Sequence, residues 1–167
     1  MTKKNHGKLH KTLVEQVLDQ HKIKYQQIEF ATHQVGDVFE LDAHQQSYQR
    51  HQIYKTLAAI TKDHEPIIGV VPLDCRLSLK KLARAADKKK VQMIPLKDLA
   101  AITTFEHGAN TPVGIYEKKG YPIYFDCSAQ QQGEIIISSG QIGRSVLVNA
   151  EAVAKLVHAS FADLIEA

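Results

Sequence analysis

The sequence contains no tryptophan and only two cysteines, Cys75 and Cys127. The two cysteines are far apart and belong to no paired motif, so we expect neither a disulfide framework nor a thiolate metal site. Each is predicted to be a small, buried, apolar side chain of a protein that works in a reducing compartment.

Long apolar runs are also missing. No segment approaches the roughly 18 consecutive apolar residues that a membrane-spanning helix needs. Residues 1–10 are polar and basic, without the apolar centre of a secretory signal, and we interpret them as a flexible leader. We therefore expect a cytoplasmic protein that does not act at membranes. Its formal net charge of +3 is weak evidence for a polyanionic partner.

The common catalytic signatures are absent from the chain. It has no phosphate-binding P-loop, no dinucleotide fingerprint, no GxSxG and no HExxH. The nine histidines are scattered, and none is paired with cysteine or another histidine at ligand spacing. We expect neither a metal nor another cofactor.

The length and the apolar content of 44% suit one globular domain, which we place at residues 11–167. Strand patterns and helix patterns alternate irregularly and include hairpins, so we predict an α+β domain with a mixed sheet. Thr12 and Glu15 are placed as a capping box for a first helix. Its inward face is predicted to hold Leu13, Val14, Val17, Leu18 and His21.

Three later segments are harder to interpret. The polar stretch 31–52 predicts a loop with a short helix that could cover a site. Residues 108–114 predict a loop, and residues 115–126 predict two short strands around Gly120. Asn149 is placed to begin a closing helix. Its inward residues are predicted to be Val153, Leu156, Val157, Phe161 and Leu164.

Several features admit a functional and an ordinary interpretation. Lys55 interrupts an apolar strand and is either a solvent-facing lysine or a site residue. The segment 108–114 is either an ordinary turn or a loop whose N–H groups converge on an anion. The helix after Ser78 carries Lys80, Lys81 and Lys88 on its polar surface, which either is merely solvated or contacts phosphates.

Taken together and in order, these pieces resemble the YbaK-like family. That family includes the editing domain of bacterial prolyl-tRNA synthetases and free-standing deacylases. The segments that carry the resemblance are Tyr54-Lys55-Thr56-Leu57, Val71-Pro72, Leu79-Lys80-Lys81-Leu82-Ala83, Gly108 with Pro112 and Gly114, Ile137-Ser138-Ser139-Gly140 and Phe161-Ala162-Asp163-Leu164. They span about Leu13 to Leu164, which is nearly the whole chain.

The resemblance implies a partly barrel-like mixed sheet flanked by helices, and removal of a wrongly attached amino acid from tRNA. Lys55 matches the lysine that family members need near the ester, so it is the expected catalytic residue. The implied substrate-binding residues are Tyr54, Thr56, Gly108, Ala109, Asn110, Thr111, Pro112, Gly114, Ser138, Ser139 and Gly140. Lys80, Lys81 and Lys88 are the expected tRNA contacts.

The turn after Gly140 departs from the family pattern. Ile142 and Ser145 stand where the family often has a basic and an acidic residue, which bears on amino-acid selectivity. The leading hypothesis is a trans-editing deacylase for Cys-tRNA(Pro), with water or the substrate's own thiol as the nucleophile. The alternatives are a deacylase for another small amino acid such as alanine, and a non-catalytic module that binds tRNA or prolyl-tRNA synthetase. No DNA partner is expected.

Overall fold

The computed structural model describes residues 10–30, 32–35, 38–41 and 48–167, with only the backbone described for 32–35 and 38–41. The helices of this part of the chain are α1 (Leu13–Gln20), α2 (Leu79–Ala85), α3 (Leu96–Thr103), α4 (Pro112–Lys119), α5 (Ser128–Gln132) and α6 (Ala150–Leu156). The strands are β1 (Tyr25–Glu29), β2 (Thr32–Val35), β3 (Val38–Leu41), β4 (Tyr54–Thr61), β5 (Pro66–Pro72), β6 (Val91–Met93), β7 (Ile123–Asp126), β8 (Glu134–Ser138), β9 (Arg144–Asn149) and β10 (Ser160–Ala162). A 3-10 turn, Arg50–Gln52, precedes β4.

The strands form a five-stranded sheet in the order β10-β7-β5-β4-β6, a three-stranded sheet in the order β1-β9-β8 and the hairpin β2-β3. The five-stranded sheet is mixed, because β7 runs parallel to β5 and β10 while β4 runs antiparallel to its neighbours. A bridge between Ile53 and Ile136 joins the two larger sheets. The predicted α+β domain with a mixed, partly closed sheet is confirmed.

Strand β5 is buried on both faces, which is typical of a continuous apolar run such as Ile67-Ile68-Gly69-Val70-Val71. Ile68 and Val70 face the main cluster, which also receives α1 and α6. Ile67 and Val71 face a second cluster that α2 completes with Leu82. The five-stranded sheet therefore carries helices on both sides, and β4 lies beside its most buried strand.

The neighbouring strand β4 is paired along only half of one edge. Its pairing with β6 begins at Ala59 opposite Met93, and the last bond on that side runs from the Ile94 N–H to the Ala58 carbonyl, at 3.1 Å. Pro95 follows and has no N–H to continue the ladder, so the chain turns away into α3. The edge of β4 from Tyr54 to Leu57 is consequently free of β6.

The segment 112–126 differs from its prediction. Residues Pro112–Lys119 form a helix, α4, with Pro112 in its first turn and Gly120 as a left-handed C-cap at φ 70°. A single strand, β7, follows where two short strands were predicted. The predicted loop around Gly108 therefore ends at Thr111, and Gly114 lies inside a helix.

The closing segment was also predicted wrongly in part. Asn149 does cap α6, and its side chain accepts from the Ala152 N–H. The helix ends at Leu156, however, and Phe161 lies in β10, which pairs with β7. Residues 160–162 form a strand instead of continuing the helix, because they can hydrogen-bond to the open edge of β7.

The first helix begins as predicted, with both bonds of its capping box present. Val14, Val17 and Leu18 are buried, whereas Leu13 and His21 are exposed.

In the stretch 31–52, the short strands β2 and β3 pair as a hairpin where a loop was predicted, and the rest of the stretch before Tyr48 lies outside the described residues. The prediction of two buried cysteines is wrong, because Cys75 is half-buried and Cys127 is exposed. The leader, residues 1–9, also lies outside the described residues.

Candidate active site

A cavity of about 720 Å³ follows the uncovered edge of β4. Strand β4 forms its floor, and the β6–α3 segment forms one wall with Ile94 and Leu99. The loop at Gly108 and the turn between β8 and β9 close the other sides. The cavity therefore exists because Pro95 ends β6 early, and all its walls come from different parts of the chain.

Six of the twelve predicted catalytic and substrate-binding residues line this cavity. Those that line it are Tyr54, Lys55, Thr56, Gly108, Asn110 and Ser138. Ala109, Thr111, Pro112, Gly114, Ser139 and Gly140 do not line it and lie behind its walls. The substrate contacts of all twelve residues remain predictions.

Lys55 lies half-buried on β4, directly opposite Val71 of β5. Burial lowers the pKa of the Lys55 ammonium, Arg76 and Arg50 lower it further, and Cys75 and Asp74 oppose that change. In the described part of the chain, Lys55 makes no ion pair within 4.0 Å. A half-buried lysine without a paired carboxylate costs stability, so this placement favours a functional use.

Tyr54 contributes to the cavity in a different way. Its ring is buried in the main cluster, and its hydroxyl lies 2.8 Å from the Ser128 Oγ on α5. Burial raises the pKa of this phenol. Its hydroxyl is thus held by the protein, and Tyr54 fixes the start of β4 under the cavity.

No Asp or Glu is among the described residues that line the cavity. The lining cations are Arg50, Lys55 and Arg144. Arg144 is neutralised by the fully buried Glu15, at 3.0 Å between Nη2 and Oε2. The remaining field at the mouth is positive, which favours an anionic ligand.

Two buried side-chain oxygen atoms of the lining lack a hydrogen-bond partner among the described residues, as does the Arg144 Nε. The two oxygens are the Thr56 hydroxyl and the Asn110 Oδ1. The Asn110 amide nitrogen donates to the Glu106 carbonyl at 3.1 Å, which orients the side chain. Both oxygens can accept a hydrogen bond at the wall of the cavity.

Two of the predicted residues that do not line the cavity, Gly114 and Gly140, lie against Phe105. A Cβ added at Gly114 would lie 2.4 Å from the Phe105 Cζ and 2.6 Å from the Thr111 Cγ2, and one added at Gly140 would lie 3.1 Å from the Phe105 Cε1. Gly140 also has φ 95°, which other residues rarely adopt. Phe105 thus packs between α4 and the β8–β9 turn, and the two glycines let both come close.

Ser139 and Arg144 tie the β8–β9 turn to α1. The Ser139 hydroxyl lies 2.6 Å from the hydroxyl of Thr12, the N-cap of α1. The Arg144 guanidinium donates to the His10 carbonyl at 2.8 Å and to both oxygens of Glu15. Helix α1 therefore holds one wall of the cavity in place.

Sequence reasoning missed Arg50, Phe105, His107 and Arg144 as parts of the site. Arg144 carried one usable signal, since a cation inside an apolar strand pattern demands a buried partner. The other three follow short polar or irregular stretches, and no local pattern marks them.

The three predicted tRNA contacts lie on or just after α2. Lys80 is exposed, whereas Lys81 pairs with Asp163 and Lys88 with Glu65, each at 2.9 Å.

In the part of the chain that the structure describes, no group of three or more His, Cys, Asp or Glu could hold a metal ion. Independence from metals remains a prediction. None of the described helices is long and apolar enough to cross a membrane.

Comparisons with known proteins agree on one family. The sequence profile of the aminoacyl-tRNA editing domain matches residues 33–156. A candidate Cys-tRNA(Pro)/Cys-tRNA(Cys) deacylase of Enterococcus faecalis, named EbsC, is 36% identical over 154 residues, covering 92% of this chain and 93% of its own.

Two solved structures show the same fold. One is described as a candidate trans-editing enzyme for prolyl-tRNA synthetase, with a TM-score of 0.74 and 20% identity over 92% of this chain and 95% of its own. The other is the hypothetical protein APE2540, with a TM-score of 0.76 and 17% identity over 92% of this chain and 99% of its own.

Proposed function

The chain belongs to the aminoacyl-tRNA editing domain family, and we propose that this aminoacyl-tRNA deacylase removes cysteine from proline tRNA. The observation that carries the proposal is the placement of Lys55 in a cavity that has no lining carboxylate among the described residues. The name of the Enterococcus faecalis relative supports cysteine as the amino acid. A volume of about 720 Å³ is within the range of sites for small ligands.

The reaction needs placement more than strong acid–base groups. An aminoacyl ester is already activated, so the protein has to orient it and stabilise the charge that develops on the carbonyl oxygen. Lys55 supplies a fixed positive charge beside the floor of the cavity. The Thr56 hydroxyl and Asn110 Oδ1 are positioned to accept hydrogen bonds from the substrate's ammonium group.

The described residues that line the cavity include no carboxylate, and this bears on the nucleophile. Water is a poor nucleophile without a general base, whereas a thiol with a pKa near 8.5 ionises readily beside a cation. We therefore infer that the substrate's own thiol attacks its ester carbonyl. The sulfur–carbon bond forms, the carbon–oxygen bond to the ribose breaks, and the thiol proton ends on the ribose oxygen. The amino acid leaves as a thiolactone, which water then opens.

The experiment is deacylation of a panel of tRNAs charged on proline tRNA with cysteine, serine, alanine or proline. Serine is the matched substrate, because it differs from cysteine by oxygen in place of sulfur. We expect fast release of cysteine, slow release of serine and alanine, and no release of proline. Equal rates for cysteine and serine would show that water is the nucleophile, and no release from any tRNA would overturn the proposed substrate class.

Dependence on a partner is tested in the same assay. Cysteine tRNA charged with cysteine is added as a substrate, with and without prolyl-tRNA synthetase. If the synthetase supplies tRNA selectivity, its addition raises the rate on proline tRNA and leaves the rate on cysteine tRNA unchanged.

A further inference from the structure

Three cations gather at the start of β4. Arg50 lies in the 3-10 turn before the strand, and Lys55 lies in the strand; both line the cavity. Arg76 comes from the segment between β5 and α2. The pKa of Lys55, lowered mainly by burial, is lowered further by Arg76 and Arg50, while Cys75 and Asp74 oppose that change, so both arginines lie close enough to act on Lys55.

The backbone explains why the third cation comes close. Residue Lys55 is opposite Val71 in the β4–β5 ladder, and the Leu73 N–H continues that ladder to the Ile53 carbonyl at 2.7 Å. The Cys75 N–H then bonds to the Pro72 carbonyl at 3.1 Å and closes a turn. This turn delivers Arg76 beside the N-terminal end of β4, where Arg50 enters from the other direction.

Neither arginine is firmly neutralised. Arg50 makes no ion pair within the described residues. Arg76 has its Nε 3.9 Å from the Glu166 Oε1, and the two side chains are 83% and 54% exposed, so this pair contributes little. Lys81 and Lys88, in contrast, each lie 2.9 Å from a carboxylate. Arg50 therefore lines the cavity without an ion pair among the described residues, whereas two cations of the α2 region are paired.

The ligand that fits this cluster is a phosphodiester. In an aminoacyl-tRNA the reacting ester is on the terminal ribose, and the nearest anions are the phosphates of the last nucleotides. We propose that Arg50 and Arg76 bind the phosphates adjacent to the reacting 3′ end, which leaves Lys55 to the ester. This inference rests on the proposed function and assigns to the two arginines the positioning of the substrate's terminal strand.

Planar guanidinium groups suit this task. Arginine can donate two parallel hydrogen bonds to one phosphate and stays charged at all relevant pH values. Arg76 also lies two residues before Ser78, the N-cap of α2. The basic surface of α2 thus begins where the proposed phosphate site ends, and an acceptor strand can follow it outward.

The test compares two double variants with the same change of net charge. Arg50→Gln with Arg76→Gln removes the proposed site. Lys62→Gln with Lys155→Gln is the control, since both lysines are exposed and Lys62 follows the far end of β4, about 25 Å from Arg50. Each is assayed on Cys-tRNA(Pro) and on the cysteine ester of adenosine, which has no phosphate.

We expect the arginine variant to lose kcat/KM on the tRNA, mainly through a raised KM, and to lose much less on the adenosine ester. Each contact with a single-strand phosphate contributes about 0.7 to the slope of log affinity against log salt, so the slope should flatten by about 1.4. The control variant should keep the wild-type slope.

Two outcomes overturn the inference. One is an unchanged KM and salt slope in the arginine variant while the wild type is active. The other is an equal loss on the tRNA and on the adenosine ester, which would mean that the arginines act on the ester or the fold. A wild type that is inactive on both substrates counts against the proposed function instead.

Discussion

At the residue scale, Lys55 is the residue on which the account depends. Its position in an apolar strand was visible in the sequence, but its degree of burial was not. Burial arises because the β8–β9 turn and the Gly108 loop approach β4 from distant parts of the chain. The sequence alone therefore left open whether this lysine faced solvent or a site.

The lowered pKa of Lys55 predicts how activity depends on pH. If the ammonium form is the active one, the rate falls as pH rises through a pKa below the ordinary value of lysine. Asp74→Asn removes a charge that raises this pKa, so the alkaline limb should move to lower pH. Arg76→Gln removes a charge that lowers it, so the limb should move to higher pH.

These shifts are measured as single-turnover rates against pH, after subtraction of spontaneous ester hydrolysis. Saturating substrate keeps any change of tRNA affinity out of the comparison. If the pH at which the rate falls moved in the same direction in both variants, the fall would report the titration of a group other than Lys55.

At the element scale, α4 shows how a helix can be missed. Pro112 in the first turn, two lysines in the last turn and Gly120 after the end are all cues for a helix. Gly114 disagrees with these cues, because glycine is unfavourable in a helix interior. Its reason is steric and long-range, because Phe105 needs the space of a side chain there.

Gly114→Ala is therefore predicted to destabilise the protein, although alanine favours helices. The added methyl group meets the Phe105 ring at 2.4 Å, and overpacking of this kind costs about 1–3 kcal/mol. The free energy of unfolding is measured with urea. The control is Gly120→Asn, whose site has no atom within 4 Å and a left-handed backbone that asparagine tolerates. A more stable Gly114→Ala protein would show that Phe105 is not fixed there.

Helix α1 is predicted to stabilise the cavity wall through the buried pair of Glu15 and Arg144. Glu15 is fully buried, and removing one partner of such a pair costs about 3–5 kcal/mol. Glu15→Gln keeps an oxygen for the Thr12 N–H, so most of its loss should come from the stranded Arg144. The double variant Glu15→Gln with Arg144→Met should lose less than the sum of the single variants. Additive losses in urea unfolding would mean that the pair is not coupled.

At the scale of the whole molecule, local patterns predicted the cap of α1 and the fold class. They could not predict how the two sheets meet, since Glu15 and Arg144 are 129 residues apart and Ile53 bridges Ile136. The cavity forms where these two sheets come together. The resemblance to known deacylases supplied Lys55 and the Gly108 loop, while the positive mouth around Arg50 emerged only from the three-dimensional arrangement.

The surface of α2 remains a predicted second contact with tRNA. Changing Lys80, Lys81 and Lys88 to alanine should weaken tRNA binding and flatten its salt slope, with little effect on the single-turnover rate at saturating tRNA. Since Lys81 and Lys88 pair with Asp163 and Glu65, the effect per residue should be smaller than at Arg50 and Arg76. Binding of uncharged tRNA at several salt concentrations measures it. An unchanged affinity would assign these lysines to solvation of the surface.

The most direct test of the account is the single-turnover rate of Lys55→Ala on Cys-tRNA(Pro), measured beside its circular dichroism and urea unfolding. Lys55 is half-buried and makes no ion pair among the described residues, so its removal should leave the fold intact and should not lower the unfolding midpoint. The account predicts that deacylation is abolished in this folded protein. A rate within about threefold of the wild type, which is under 1 kcal/mol of barrier, would contradict it.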